Sequence, residues 1–374
     1  MTLLGLVAKN LMRRPFRTIM TMLALATAIG SVMALSGVAG GFTDSFRDVY
    51  QSHRVDLVVT RDGSADRLSS SLPDRYVQTV KECAGVDRAA GVLLETLSLE
   101  QQQVFGIPSM GMPLDSWLFA DYELVEQSSS DSGAARIYLG QNVAQRTGLS
   151  AGDPVEIFEE PAFVAGIYTT ASVWENGSII LPLETLQLLT GREGQITYIN
   201  VAVDESIDQD QIRDVTEAIE SADPKLLALP TETFVQSDTR MQLAGGMAWM
   251  TSVIALVVGV IGTLNTMMTS VMERTGEIGI LRAVGWTVRQ VASLILLESV
   301  VLSVIATVIG GIGGTLLLML LAANDAAGGM LQPRLDLSLW IRGLGIGLGI
   351  GLIGAALPSY RASRMHPTLA LRQL

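Results

Sequence analysis

Residues 241–272 read MQLAGGMAWMTSVIALVVGVIGTLNTMMTSVM, 32 positions without an Asp, Glu, Lys or Arg, bounded by Arg240 and Glu273. A helix crosses about 30 Å of hydrocarbon with roughly 20 apolar residues, so this stretch spans a membrane with turns to spare. Three more charge-free runs lie at 18–43, 299–324 and 343–360. The chain has 374 residues, 49% of them hydrophobic and 17% charged, and a mean hydropathy of +0.40; its apolar content is therefore clustered. The expected fold class is a membrane protein with four transmembrane α-helices, one plus three, and a large α+β extracytoplasmic domain inserted between spans 1 and 2. A net charge of −12 with no basic, aromatic-studded stretch lacks the electrostatic footprint of nucleic-acid binding.

Basic residues near the spans set the orientation, because positive loops stay cytoplasmic. Residues 1–17, an amphipathic N-terminal segment, carry Lys9, Arg13, Arg14 and Arg17 and no acid. Arg274, Arg282 and Arg289 follow the second run, and Arg361, Arg364 and Arg372 follow the fourth. Segment 43–240 holds 13 basic and 32 acidic residues. Both termini and 273–290 are therefore expected in the cytoplasm, with 44–240 and the short loop 324–338 outside. The spans are 18–43 continuing into a stalk, 241–272 with its own stalk, 291–323 and 339–360, with a tail at 361–374. The alternative for the first run is a secretory signal, but its apolar stretch far exceeds the usual 7–15 residues.

The external segment is long enough for its own core. Strand-like runs lie at Val55–Thr60, Ala89–Leu99, Val155–Ile157, Phe163–Tyr168, Ser178–Leu181 and Tyr198–Val203. Helix-like runs lie at Pro73–Cys83, Gln141–Thr147, Leu183–Leu189 and Ile207–Ser221. Strand, helix and strand succeed one another over Asp56–Leu99 and again over Tyr198–Leu229, which reads as two halves of one subdomain interrupted by a β-rich insertion at 100–197. Ser128–Gly133 reads as a flexible polar tip, and Asn176-Gly177 between strand-like runs as a hairpin turn.

Chemistry-bearing motifs are scarce. Cys83 is alone, so no internal disulfide forms. The only histidines, His53 and His366, fall on opposite sides of the membrane in this topology, which leaves no His-based triad or His-pair metal site. Met110 and Met112 read as gap-filling apolar residues, and no metal site is expected. Glycines at small-xxx-small spacing, Gly310 with Gly314 and Gly343, Gly347 and Gly351, point to close helix packing. Glu298, near the inner headgroup boundary, is a functional anchor or an interfacial acid. Between spans two and three, Ile278, Leu281, Val284, Val288 and Val291 recur at three- and four-residue spacing, an amphipathic cytoplasmic helix that lies on lipid or docks a partner.

The stretch Asn265–Val291, with its core Met272-Glu-Arg-Thr-Gly-Glu-Ile-Gly-Ile-Leu-Arg-Ala-Val-Gly285, closely resembles the signature of MacB/FtsX-like ABC transporter permeases, the mechanotransmission or type VII class. Asn10–Thr18 resembles that family's N-terminal amphipathic segment, Glu298 its acid early in span three, and Pro358–Arg372 its C-terminal motif. By the same resemblance, 44–99 with 198–235 would be a porter-like subdomain and 100–197 a sabre-like one. Gly276 departs from the pattern, where a longer residue is common.

The resemblance implies a non-catalytic permease subunit of the bacterial cytoplasmic (inner) membrane, whose helix at 274–289 docks in a separate ABC ATPase through Glu277, Ile278, Leu281, Arg282 and Arg289. The chain has no GxxxxGK[ST], so ATP and its magnesium would be bound by that partner. A second permease copy, as homodimer or paired heterodimer, membrane lipid, and a periplasmic adaptor or lipoprotein are the other implied partners. ATP-driven motion of the external domain would drive export of a peptide, antibiotic or lipoprotein; the alternative is an FtsX-like signalling subunit that regulates a cell-wall hydrolase without transport. The charge-derived topology predicts that, among single-cysteine variants in intact cells, a cysteine at Ser132 is labelled by an impermeant thiol reagent and one at Thr287 is not. The reverse pattern would overturn it.

Overall fold

The computed structural model of the protein describes residues 5–7, 10, 15–63, 70–128, 134–208, 211–322 and 336–365. Most of the N-terminal segment, the polar tip beyond Ser128 with Ser132, most of the 324–338 loop, and the tail from His366 lie outside the described residues. The chain forms two compact units: one takes in the described residues up to Ala39, Ala244–Leu320 and those after 335, and the other Gly40–Leu243.

Helix α1 (Pro15–Ser52) leads to β1 (Leu57–Arg61), β2 (Leu72–Pro73), α2 (Tyr76–Lys81), β3 (Val86–Leu99), β4 (Val104–Met112), α3 (Trp117–Ala120), β5 (Glu123–Gln127) and β6 (Ala135–Gly140). There follow α4 (Gln141–Thr147), β7 (Pro154–Ile157), β8 (Glu160–Thr169), α5 (Val173–Asn176), β9 (Ile179–Pro182), α6 (Leu183–Thr190), β10 (Gln195–Ile196), β11 (Tyr198–Val203), α7 (Ile212–Ala222), β12 (Leu226–Pro230) and α8 (Thr231–Ser237). The chain ends in α9 (Thr239–Glu273), α10 (Thr275–Ala283), α11 (Val288–Ala322) and α12 (Leu337–Ser363).

In the second unit the main sheet runs β12-β1-β11-β3-β4-β9-β6-β8-β5, with β7 paired to β8. Strands β12, β1, β11 and β3 are antiparallel neighbours. With α2 and α7 they make a βαββαβ unit, the two halves expected from sequence. Strand β3 is shared: Val86–Val92 pairs with β11, and Leu93–Leu99 with β4, so subdomain and insertion are stretches of one sheet. Both faces of the sheet are covered. Leu57 and Val59 pack with Val80, Val215 and Ile219 of α2 and α7, whereas Val58, on the opposite face, packs with Tyr50 and Phe234.

Two sequence expectations are corrected here. Asn176-Gly177 is not a hairpin turn, which would need positive φ; Gly177 has φ −91° and ends the short helix α5. Strands β8 and β9 are separated by β6, and Asn176 is held by hydrogen bonds between its amide and the backbone N–H and C=O of Thr170 at 2.9 and 2.8 Å. The tight turn lies instead between β7 and β8, where Phe158 and Glu159 take φ of 51° and 64°. Strands β4, β5 and β6 fill the insertion where no strand was expected. Met110 and Met112 are buried in the core shared with Tyr50 and Tyr168, and among the described residues no group of three or more His, Cys, Asp or Glu is placed to hold a metal.

In the first unit, α9, α11 and α12, with the matching part of α1, are long and apolar enough to cross a membrane. The full α1 and α9, at 38 and 35 residues, are about 57 and 52 Å long. Helices surrounded by lipid gain little from burying one apolar side chain against another and pack best where side chains are absent. A Cβ on Gly310 would strike the Ala26 carbonyl, and one on Gly314 or Gly30 would come within 2.7 Å of the carbonyl of Gly30 or Gly310. On α12, Gly343 abuts Met33, Gly347 abuts Thr307, and Gly351 abuts Ser303, while Ser299 Oγ donates to the Gly351 carbonyl at 2.8 Å. Gly313, by contrast, faces open space. Gly310→Val should therefore lower the thermal stability of the purified protein by about 1–3 kcal/mol through overpacking. Gly313→Ala should leave it unchanged or raise it by up to about 1 kcal/mol through helix propensity. Equal behaviour of the two variants in a detergent melt would contradict the packing.

Candidate functional site

The segment between α9 and α11 is short and sharply bounded at both ends. Arg274 leaves helical geometry at φ −113° and ψ 18°, and α10 follows for nine residues. Gly285, at φ 106°, closes it, and Arg282 Nη1 donates to the Trp286 carbonyl at 2.8 Å. A capping box then opens α11: Thr287 N–H donates to Gln290 Oε1 at 2.7 Å, and Gln290 N–H to Thr287 Oγ1 at 3.3 Å. The single helix expected over 274–289 is thus two helices, and Arg289 sits in the first turn of α11 rather than on α10.

Ile278 is mostly buried among Val271, Val291, Ile295 and Ala362 of the chain's own core. Leu281 and Arg282 are half-buried, and Glu277 and Arg289 are exposed. The apolar side chains that α10 and its cap leave in the open are Ile280, 48% exposed, and Val284, 77% exposed. Beneath them Arg274 Nη1 lies 3.2 Å from Glu298 Oε2 and its Nε 3.5 Å from Glu277 Oε2. Glu298, whose side chain is only 8% exposed, therefore ties the end of α9 to the third turn of α11. A cavity of about 410 Å³ opens beside this pair, lined by Met267, Ser270, Arg274, Ile278, Leu281 and Glu298 among others.

The external unit holds a buried polar cluster that sequence reasoning missed. Glu175 is fully buried, and its Oε1 accepts a hydrogen bond from Tyr122 OH at 2.6 Å and lies 3.0 Å from His53 Nε2. Thr170 Oγ1 donates to Oε2 at 3.0 Å. The other imidazole nitrogen, Nδ1, is 3.5 Å from Asp121 Oδ2. Burial draws the His53 pKa down, but the hydrogen bond and charge of Glu175, with Asp121 behind it, outweigh that and raise it above the ordinary 6.5. Burial, reinforced by Glu175, pushes Tyr122 well up, so its hydroxyl remains a donor. Burial also raises Tyr168 against the opposing effect of its bond with Ser178. A readable sign was Ser172-x-x-Glu175, a helix-start signature: Ser172 Oγ accepts from Glu175 N–H at 3.4 Å.

Four apolar helices, an α/β domain inserted between the first and second, and a short helix between the second and third define a polytopic membrane protein of the permease type. Residues 18–219 match the model of the MacB-like periplasmic core domain, and 249–367 that of the FtsX-like permease C-terminal domain. The chain belongs to the MacB/FtsX-like ABC transporter permease family, and family and helices together make it a multi-pass inner-membrane protein. It is 22% identical over 96% of its length to a macrolide export ATP-binding/permease protein MacB of Nitrobacter winogradskyi, covering 58% of that relative. It is 24% identical over 95% of its length to a pyoverdine export ATP-binding/permease protein PvdT of Pseudomonas syringae pv. tomato, covering 57%. The chain thus spans somewhat over half the length of these curated relatives. Among solved structures, the periplasmic region of MacB from Actinobacillus actinomycetemcomitans is 13% identical with a TM-score of 0.40, over 50% of this chain and 94% of that one.

The inward and outward sides of α10 should separate by mutation. Ile278→Asp places an unpaired carboxylate in the core and should cost about 3 kcal/mol or more of stability. Val284→Asp, at an exposed position, should stay within about 0.5 kcal/mol of the parent. Thermal unfolding in detergent checks both, and equal losses would mean that the face assignment is wrong.

Proposed function

We propose that this permease couples ATP hydrolysis by an ABC ATPase, supplied from outside these 374 residues, to motion of its external unit, and that the motion drives export. The observation that carries the reading is α10: a nine-residue helix joining two long apolar helices and presenting Glu277, Ile280 and, at its C-cap, Val284 outward. A helix so short and so firmly connected moves with α9 and α11 rather than apart from them, and this is the mechanical requirement for transmission. Arg274 and Glu298 stiffen the same joint, because parting them would leave a buried charge uncompensated. Half-buried Leu281 and Arg282 flank the docking face, and Arg289 extends it from the first turn of α11.

The segment charges support a cytoplasmic α10 and termini, with 44–240 outside. Two copies of the chain would present two such helices to a pair of ATPases. The match of the external unit to the MacB-like core favours export over regulation of a cell-wall hydrolase. The proposed cargo is a peptide, antibiotic or lipoprotein taken up at the external unit, with an adaptor beyond it; the relatives' names, exporters of a macrolide and of pyoverdine, support export itself.

The docking face is tested by co-expression with the cognate ATPase. Val284→Asp should insert normally yet fail to retain the ATPase, because the contact would bury a carboxylate without a partner at a cost of several kcal/mol. Thr287→Ser should retain it. Undiminished copurification of Val284→Asp would remove α10 from the contact.

A further inference from the structure

The end of α1 is attached to the insertion at three points, all within the external unit. Ser172 Oγ donates to the Ser45 carbonyl at 3.0 Å. The Phe46 and Trp174 rings lie 5.2 Å apart. His53, just past the helix, reaches Glu175 at 3.0 Å, and its ring lies 4.7 Å from that of Tyr122 at a tilt of 42°. Residues 172–175 open α5, which follows β8; Asp121 and Tyr122 lie between α3 and β5, the strand at the sheet's far edge. The first two attachments are neutral, and the third is ionic, with His53 and Glu175 buried and Asp121 exposed, and is built around a group that titrates near neutrality.

We propose that His53 is a protonation-dependent positioning residue that fastens the end of the first long helix to the insertion, so that displacement of that helix is delivered to the insertion's strands. The proposal rests on the motion-coupled reading above and specifies where the motion goes. Nε2 is hydrogen-bonded to Glu175 at 3.0 Å, whereas Nδ1 lies 3.5 Å from Asp121 without a hydrogen bond, so only the protonated, positively charged ring is attracted to both carboxyl groups. The titratable groups facing it are Glu175 from α5, Asp121 and Tyr122 from the segment after α3, and Tyr168 from β8 behind Glu175. No basic side chain is among them. The buried tyrosines stay protonated, so the imidazole is the group that changes state near neutrality.

The sign follows from the raised His53 value. The fastening is complete below the ordinary histidine value and is lost as pH rises through the higher folded one. Once neutral, the ring loses its charge attraction to Asp121, and Glu175 keeps Tyr122 and Thr170 but loses its charged partner. An external domain meets the pH of its surroundings, so acid conditions would stiffen the transmission and alkaline ones slacken it.

The test uses the full chain in phospholipid nanodiscs with ¹³Cε1-labelled histidine. The chain has two histidines, so His366→Asn leaves His53 as a single resonance. Its midpoint should lie above 6.5 and fall in Glu175→Gln, where burial is opposed by Asp121 alone. Asp121→Asn, at a part-exposed site, guards against misfolding of the first variant and should lower the midpoint by less. In parallel, hydrogen exchange corrected for intrinsic rate should show 45–52 and 172–178 losing protection together through the same midpoint. In His53→Gln, protection of the two segments should not vary with pH. A midpoint at or below 6.5 in the parent, or protection that ignores the titration, overturns the proposal. No ATPase takes part, so failure here is distinct from failure of α10 to retain one.

Discussion

The membrane unit depends on the close approach of backbones at glycine. Hydrocarbon offers no gain for burying leucine against leucine, so helix contacts must come from van der Waals fit and from a few polar bonds. Gly30, Gly310 and Gly314 let α1 and α11 meet carbonyl to Cα, and Gly343, Gly347 and Gly351 let α12 settle against Met33, Thr307 and Ser303. Larger side chains there would part the helices. The exposed Leu, Ile and Val of α9 and α11 then need no protein partner, since lipid satisfies them.

The external unit answers to the opposite solvent and uses the opposite means. Its sheet buries side chains on both faces, with α2 and α7 on one and Tyr50 of α1 with Phe234 of α8 on the other. Packing α1 into that core places a helix end among strands, where its last backbone groups and neighbouring side chains lose water. The Ser172, Glu175 and Tyr122 contacts satisfy that site with directed bonds. Burying a carboxyl group and an imidazole together is tolerable only because each is partnered, which is why the cluster is specific to one arrangement of the chain.

At α10 the two kinds of requirement coincide. Ile278 serves the chain's own core while Ile280 and Val284, two and six positions on, remain outside, so nine residues both anchor the segment and display a surface. The Arg274 and Glu298 pair lies under this surface and links the helices on either side. The firmness of the joint comes from short-range geometry: a residue at φ −113° at one end, a left-handed glycine and a capping box at the other.

Sequence alone determined whatever follows from runs and periods. Four charge-free stretches determined the spans, and alternation with cap signals placed Tyr198–Val203 and Gln141–Thr147 at the residues where the strand and helix stand. It determined too that the external segment repeats strand, helix and strand, because each half carries its own apolar pattern. Tertiary structure alone decided which neighbours those elements take. Asn176-Gly177 has the composition of a hairpin turn, but β6 enters between the strands it would have joined, and strand order is a long-range choice invisible to local pattern. Ile278 and Leu281 share an apolar stripe in sequence, yet which part of that stripe faces inward depends on where α11 and α12 lie. His53 and Glu175 are 122 positions apart, and nothing in either neighbourhood reveals that the fold removes water from both and leaves them to each other.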